Sequence, residues 1–219
     1  MRIRRVAGRP VGTRTLALVA AGGALIGVGA AALIRARLGV TPWDVLTTAV
    51  SDLTGMSVGV AGAVLSAAVY VLCAPFGRLP RWGNLVLLVG VSVAVDASLA
   101  ALAEPGSPVG RAALYAAGVP VVCLGVALIV RADIGVGPLE MVMLVATDRS
   151  VPLVRARVVI EATTLGVGWL LGGALGLGTA GFALAAGPLI AGWLRALGRF
   201  RGSADRRGRG PSGPAPQAP

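Results

Sequence analysis

Residues 35–45 read R-A-R-L-G-V-T-P-W-D-V, and residues 131–141 read R-A-D-I-G-V-G-P-L-E-M. The second stretch follows the first at an interval of 96 residues (131 minus 35), so that Asp44 of one copy matches Glu140 of the other. Each copy ends a long apolar run and opens a short helical pattern. An internal duplication of this kind indicates two related structural units.

The residue types of the repeated phrase predict a turn followed by a helix start. Gly39 and Gly135 are expected to end the preceding helix with a positive φ angle, which glycine adopts without steric cost. Pro42 and Pro138 suit the first position of the next helix, where the missing N–H needs no partner. The chain therefore changes direction at both copies.

Asp44 and Glu140 occupy the third position of these predicted helices. Thr41 with Asp44 forms a capping-box pattern, and Gly137 with Glu140 is its weaker copy. In one interpretation both acids only satisfy free backbone amides and complement the helix dipole. In the other, the two helix starts lie inside a membrane domain and present donors and carboxylates to a substrate or ion.

The composition indicates an integral membrane protein. Hydrophobic residues make up 56% of the chain and the mean hydropathy is +0.83, whereas soluble domains are about 45–50% apolar. The net charge is +11, which in a soluble chain would suggest nucleic-acid binding. Here the arginines flank the apolar runs, so membrane topology explains the charge better. We expect no nucleic-acid partner.

Several chemistries are excluded by missing residue types. The chain has no lysine and no histidine, which removes phosphate-binding lysines of the Walker type, imidazole catalysis and histidine-ligated metals. Cys73 and Cys123 lie inside apolar runs and are interpreted as small hydrophobic residues. Because no nucleophile–base pair or metal cluster is visible, we expect no enzyme activity, no cofactor and no metal site.

Six apolar runs approach the ~20 residues that cross the hydrocarbon core. The predicted spans are residues 15–34, 56–75, 83–102, 112–130, 153–171 and 179–197. Two short helices are predicted at residues 42–53 and 138–147, and helices of about 10–12 residues are too short to span. Either a re-entrant or an interfacial position fits them.

The arginines predict the orientation. With a cytoplasmic N-terminus, six spans place seventeen of the twenty arginines on the cytoplasmic side, as the positive-inside rule requires. Both termini are then cytoplasmic. Residues 1–14 form a basic N-terminal segment, and residues 198–219 form a basic tail whose composition predicts disorder.

Each repeat, residues 15–103 and residues 112–197, holds three predicted spans and one short helix. An odd number of crossings turns the second repeat upside down relative to the first. The predicted fold class is therefore an all-α membrane protein with six transmembrane helices in two inverted three-helix repeats. Inverted repeats with interrupted segments at matching positions are a recurring plan among secondary transporters.

Two further acids lie within predicted spans. Asp96 lies well inside the third span and is either a functional carboxylate or a structural partner for a neighbouring helix. Glu161 follows Arg157 at the i,i+4 spacing of a helical ion pair. With Arg155, the same two residues could instead form part of an anion or zwitterion site.

Small residues in the spans allow close helix packing, so a homo-oligomer stays an open alternative. They are Gly23, Gly27, Gly59 and Gly62. The other expected partners are the lipid bilayer and a small solute or ion.

Four motifs together resemble the YczE/YitT-type bacterial membrane proteins, over residues 16–197. They are L-G-V-T-P-W-D-V (38–45), I-G-V-G-P-L-E-M (134–141), V-R-A-R-V-V-I-E (154–161) and G-W-L-L-G-G-A-L-G-L-G-T (168–179). The resemblance implies a polytopic helical fold in the bacterial inner membrane and little about substrate. Two departures are Trp82-Gly83-Asn84, where the family usually has a Gly-x-Gly-Thr turn, and Leu139-Glu140, where an Arg-Asp pair is common.

These observations favour a secondary transporter or permease-like protein for a small substrate. Its pathway candidates are Asp44, Glu140, Asp96, Glu161 and Arg157. The alternative is a non-transporting membrane regulator or assembly partner that acts through helix contacts and its basic tail.

Overall fold

The computed structural model describes the backbone of residues 13–133 and 135–208, and side chains as far as residue 198. All regular secondary structure in these residues is helical. The α-helices are α1 (Thr13–Ala36), α2 (Pro42–Thr54), α3 (Val58–Cys73), α4 (Trp82–Ala101), α5 (Pro108–Ala132), α6 (Pro138–Asp148), α7 (Leu153–Leu170) and α8 (Leu177–Gly208). A 3-10 turn, Ala74–Phe76, extends α3.

Five helices in the described residues are long and apolar enough to cross a membrane. They are α1, α3 with its 3-10 turn, α4, α5 and the first part of α8. Helix α7 coincides with the fifth predicted span but is not among them, because its 18 residues include Arg155, Arg157 and Glu161. An all-α protein with several membrane-crossing helices is thus confirmed.

Glycines bring α1 and α5 together at the centre of the fold. A Cβ atom on Gly22 would lie 3.0 Å from the carbonyl oxygen of Gly125, and one on Gly29 would lie 3.0 Å from that of Gly118. The earlier glycine of α1 thus meets the later glycine of α5, which means that the two helices run antiparallel. Close backbone approach through small residues is typical of membrane helices.

The remaining helices are arranged around this central pair. Helix α4 packs against α1, and α8 packs against α5. The short helix α2 lies against α3 and α7, and the short helix α6 lies against α7 and α3. Each short helix therefore contacts one helix of its own half of the chain and one of the other half.

Four glycines were considered for contacts between subunits of a homo-oligomer. In the structure they pack against other helices of the same chain. Gly23, Gly27 and Gly59 face residues of α4, and Gly62 faces Thr47 of α2. These small residues are therefore used inside the bundle, and none of them supplies a free surface for a second copy.

Helix α8 departs from the predicted boundaries. It runs on to Gly208, past the predicted span end at residue 197, so the first part of the tail predicted to be disordered is helical. Arginine and alanine are good helix formers, and no proline follows Pro188 until Pro211, which lies beyond the end of α8. Residues 1–12 and 209–219 of the predicted terminal segments lie outside the described residues.

Candidate functional site

A cavity of about 270 Å³ lies where both short helices meet the long helices. We call it the central cavity. The first turns of α2 and α6 both line it, and most of its other lining is apolar. Its polar lining residues are Thr41, Asp44, Thr47, Ser66, Tyr70, Ser92, Glu140, Arg157 and Glu161. An apolar pocket with a few convergent polar groups is typical of a ligand site.

Asp44 caps its own helix and also lines the central cavity. The Thr41 hydroxyl oxygen accepts the N–H of Asp44 at 3.1 Å, and the hydroxyl donates to Asp44 Oδ2 at 2.8 Å. Pro42 stands in the first turn of α2, as the sequence predicts. The capping interpretation and the cavity interpretation of Asp44 are therefore compatible, because the carboxylate has two oxygens.

Glu140 occupies the matching place on α6. The residue before this helix, Gly137, provides no side-chain cap, and the place of its missing Cβ atom is taken by Oε2 of Glu140. The carboxylate thus folds back over the helix N-terminus, where the helix dipole favours negative charge. The side chain lines the central cavity.

Arg157 and Glu161 form the predicted ion pair on α7, with 2.9 Å between Nε and Oε1. Both line the central cavity. Four ion pairs occur in the described part of the chain, and none of them includes Asp44 or Glu140. The cavity lining therefore carries three carboxylates and one guanidinium, and that guanidinium is already paired.

The protein surroundings change the acidity of both short-helix carboxyls, which lie outside the membrane-crossing helices. Burial raises the pKa of Asp44 to about 6, although the hydrogen bonds with Thr41 act in the opposite direction. Burial also raises the pKa of Glu140, and Arg157 is among the groups that lower it. Both carboxyls therefore take up a proton more readily than an exposed carboxyl does.

Asp96 is not among the residues that line the central cavity. Its carboxylate accepts hydrogen bonds from the Ser57 hydroxyl at 2.6 Å and from the N–H of Gly59 at 2.8 Å. These groups form the N-terminus of α3, so Asp96 caps a neighbouring helix. This geometry supports the structural interpretation of Asp96 rather than the pathway interpretation.

The two turns of the repeated phrase differ from the prediction, because neither glycine ends the preceding helix. Helix α1 ends at Ala36, and Asp133 is the C-terminal cap of α5. The left-handed residues common to both copies are Arg37, with φ 52°, and Asp133, with φ 51°. Of the two glycines, Gly39 has the predicted positive φ angle, +122°.

Gly39 and Gly135 are needed because backbones from the two halves approach each other there. A Cβ atom on Gly39 would lie 2.6 Å from the backbone nitrogen of Thr179, at the start of α8. One on Gly135 would lie 2.8 Å from that of Asn84, at the start of α4. Each turn therefore packs on a helix start of the opposite half.

Side chains fix both contacts. In the first, Thr179 Oγ1 accepts the N–H of Val40 at 3.2 Å. In the second, the Asn84 amide and the Tyr70 hydroxyl both donate to the carbonyl oxygen of Val136, at 2.7 and 3.0 Å. Asn84 is fully buried. In the sequence, Asn84 is noted as a departure from the family pattern. Its position, a polar residue at the start of an apolar span, could have predicted a buried hydrogen bond there.

The aromatic lining of the central cavity was not predicted. It comes from Trp43, Tyr70 and Phe182. Trp43 lies in the repeated phrase, so its position was a usable signal. Tyr70 and Phe182 lie in uniformly apolar helices, whose sequence does not show which face is turned inward.

Ion pairs join the helices at two places away from the cavity. Glu104 pairs with Arg37 at 2.8 Å and with Arg111 at 3.1 Å, which ties the end of α1 to the start of α5. Arg78 donates two hydrogen bonds of 2.6 Å to Asp148, at the end of α6. These bonds lower the pKa of Asp148.

Long apolar helices, an all-helical architecture and a polar cavity between the helices define a multi-pass helical membrane protein. The chain belongs to DUF6198, a family of unknown function whose pattern matches residues 13–195. The match covers every helix described above except the last part of α8.

Two relatives have matching lengths. An uncharacterized protein of Haemophilus influenzae is 26% identical over 190 residues, which cover 85% of this chain and 86% of the relative. The uncharacterized membrane protein YczE of Bacillus subtilis is 28% identical over 155 residues, which cover 70% of this chain and 72% of the relative. The resemblance to YczE-type proteins is thereby confirmed. No solved structure matches the chain.

Proposed function

We propose that this protein is a secondary transporter or permease-like protein of the bacterial cytoplasmic membrane, with a small substrate bound in the central cavity. The chain crosses the membrane six times as two inverted repeats, and both termini lie in the cytoplasm. The observation that carries the proposal is the cavity, because the first turns of two short helices, one from each half of the chain, line it. Discontinuous helices that present their N-termini to a shared site are typical of transporters.

The helix contacts support the inverted repeats. The α1 glycines at positions 22 and 29 correspond to the α5 glycines at positions 118 and 125 under the interval of 96 residues. Exchanging the two halves also exchanges the α2–α7 contact with the α6–α3 contact, and the α1–α4 contact with the α5–α8 contact. Such an exchange is expected for two units related by a pseudo-two-fold axis in the membrane plane.

The surroundings of α7 support its role as the fifth predicted span, which brings the number of crossings to six. Arg157 and Glu161 neutralise each other, and both line the cavity. Charged groups within a membrane domain are tolerated when they are paired or face a polar cavity. Its 18 residues, at 1.5 Å per residue, extend about 27 Å, close to the thickness of the hydrocarbon core.

Thiol labelling from both sides of the membrane tests alternating access without knowledge of the substrate. In a background carrying Cys73→Ala and Cys123→Ala, Ser92→Cys places a near-isosteric reporter in the cavity lining. Asp52→Cys, on the exposed face of α2, is the matched control. We expect a membrane-impermeant maleimide to label Ser92→Cys in both right-side-out and inverted vesicles, and Asp52→Cys in only one of them. Labelling of Ser92→Cys from a single side, or from neither, contradicts the proposal.

A second candidate function is that of a non-transporting membrane regulator or assembly partner. The extension of α8 to Gly208 favours it, because a basic helical end offers a surface for anionic lipid or a partner protein. Truncation after Gly198 distinguishes the two functions. A transporter keeps two-sided labelling of Ser92→Cys after this truncation, whereas a regulator loses its cellular phenotype and shows no two-sided labelling.

A further inference from the structure

The charge balance of the central cavity indicates what it binds. We propose that the cavity binds a small organic cation with an apolar body, held between the carboxylates of Asp44 and Glu140. As the identity of a transported substrate this rests on the transport function proposed above, whereas binding itself does not depend on transport.

The first argument is electrostatic. Arg157, the cation in the cavity lining, is paired with Glu161, and neither Asp44 nor Glu140 forms an ion pair within the described residues. Arg157 also acts on Glu140 through space, but one guanidinium does not balance three carboxylates. Each helix N-terminus supplies about half a positive charge, which does not neutralise a full carboxylate charge. An unneutralised carboxylate in a membrane domain is costly, and a bound cation removes that cost.

The second argument excludes an anion or zwitterion carboxylate at the short helices. A free helix N-terminus is a ready anion site, but here both N-termini are occupied by acids of the chain itself. The Glu140 carboxylate fills the space above Gly137, and Asp44 is bonded to the capping residue Thr41. An incoming anion would meet a carboxylate at each of these positions.

The third argument concerns the body of the ligand. Trp43, Tyr70 and Phe182 line the cavity together with aliphatic side chains. Aromatic faces attract cations, and tryptophan does so most strongly. A volume of about 270 Å³ equals that of about nine water molecules at roughly 30 Å³ each. The ligand is therefore small, with a positively charged group and an apolar part about the size of one aromatic ring with a short linker.

Three probes of nearly equal size separate charge from shape: phenethylammonium, neutral 2-phenylethanol and anionic phenylacetate. We expect isothermal titration calorimetry on the detergent-purified full chain to show binding of phenethylammonium. Binding of 2-phenylethanol should be at least about tenfold weaker, which corresponds to about 1.4 kcal/mol, and phenylacetate should not bind. Equal affinity for the alcohol, tighter binding of the acid, or no binding of phenethylammonium to correctly folded protein would overturn the proposal.

Substitutions locate the binding to the two carboxylates. Asp44→Asn and Glu140→Gln should each weaken phenethylammonium binding about tenfold or more and leave the affinity for 2-phenylethanol unchanged. The charge-preserving variants Asp44→Glu and Glu140→Asp should retain most of the preference for the cation. Asp52→Asn, on the exposed face of α2, is the matched control and should bind like the wild type. An unchanged cation affinity in both Asp44→Asn and Glu140→Gln contradicts the proposed site.

The two experiments can fail separately. Binding of phenethylammonium together with one-sided labelling of Ser92→Cys supports the cation site and contradicts the transport function. Two-sided labelling of Ser92→Cys without binding of phenethylammonium supports the transport function and contradicts the cation site.

Discussion

The two copies of the repeated phrase form the same turn and helix start, but with different side chains. In the first copy Thr41 caps α2 with its hydroxyl group, and the turn is fixed to the other half through Thr179. In the second copy Gly137 provides no side-chain cap, and the turn is fixed through Asn84 and Tyr70. What both copies keep is the path of the backbone, namely a left-handed residue at the end of the long helix, a glycine at the close approach and a proline in the next first turn.

This difference shows which features the architecture requires. The backbone path is set by steric limits that apply equally in both halves, so the residues that satisfy them recur. The hydrogen-bonding partners differ, because Thr179 accepts a backbone N–H in the first copy whereas Asn84 and Tyr70 donate to a backbone carbonyl in the second. The acids recur as well, and both line the same cavity.

The largest effects are expected at the glycines of the two turns. Gly39→Ala combines a positive φ angle with a backbone clash and should destabilise the protein by about 3 kcal/mol or more. Gly135→Ala has the clash alone and should cost about 1–3 kcal/mol. Gly55→Ala is the matched control, since Gly55 has a φ angle of 73° and nothing within 4 Å of an added Cβ; it should cost about 1 kcal/mol. SDS-induced unfolding in mixed micelles measures all three.

A Gly135→Ala variant as stable as the wild type would contradict the close approach to Asn84. A Gly55→Ala variant less stable than Gly39→Ala would show that backbone conformation, and not space, dominates at these positions.

The side chains that fix the turns should come next. Asn84→Ala removes one of two hydrogen bonds to the Val136 carbonyl and leaves a void, so we expect a loss of about 2 kcal/mol. Thr179→Val removes the acceptor for the Val40 N–H and should cost about 1 kcal/mol. Ser92→Ala is the control, because this hydroxyl bonds only within its own helix, to the Leu88 carbonyl. A loss in Ser92→Ala equal to that in Asn84→Ala would contradict this ranking.

Smaller effects are expected at the helix caps, where substitutions can make the copies more alike. Thr41→Val removes the capping hydroxyl at nearly constant volume and should cost about 1 kcal/mol. Gly137→Ser adds a hydroxyl to the second copy, and should change stability by only a few tenths of a kcal/mol. A larger loss for Gly137→Ser would show that the Glu140 carboxylate cannot leave its place above Gly137.

The smallest effect is expected for the exposed Arg78–Asp148 pair, and it depends on pH. Because the pKa of Asp148 is lowered in the folded protein, its contribution is fully present above the unfolded-state value of about 3.9 and is lost as the pH falls from there through the folded-state value. Asp148→Asn should therefore lower the melting temperature slightly at pH 7 and by less at pH 3. A difference from the wild type at pH 3 as large as that at pH 7 would contradict the pairing.

Much of the architecture could be predicted from the sequence because it depends on local physics. The prolines place the starts of α2 and α6, apolar length places the long helices, and the i,i+4 spacing places the Arg157–Glu161 pair. The contacts between halves could not be predicted, since they depend on which face each apolar helix turns inward. Asp96 illustrates this limit. Only the packing of α3 on α4 shows that its carboxylate accepts hydrogen bonds from Ser57 and Gly59 and so caps the N-terminus of α3.

The central claim is that the two halves are inverted in the membrane, and Arg37 and Asp133 test it most directly. They are equivalent left-handed residues of the two turns, and both are exposed. Arg37→Cys and Asp133→Cys are each combined with Cys73→Ala and Cys123→Ala, and intact cells are treated with an impermeant maleimide. We predict that Arg37→Cys is labelled in intact cells and that Asp133→Cys is labelled only after permeabilisation. Labelling of both positions from the same side would contradict the inverted arrangement.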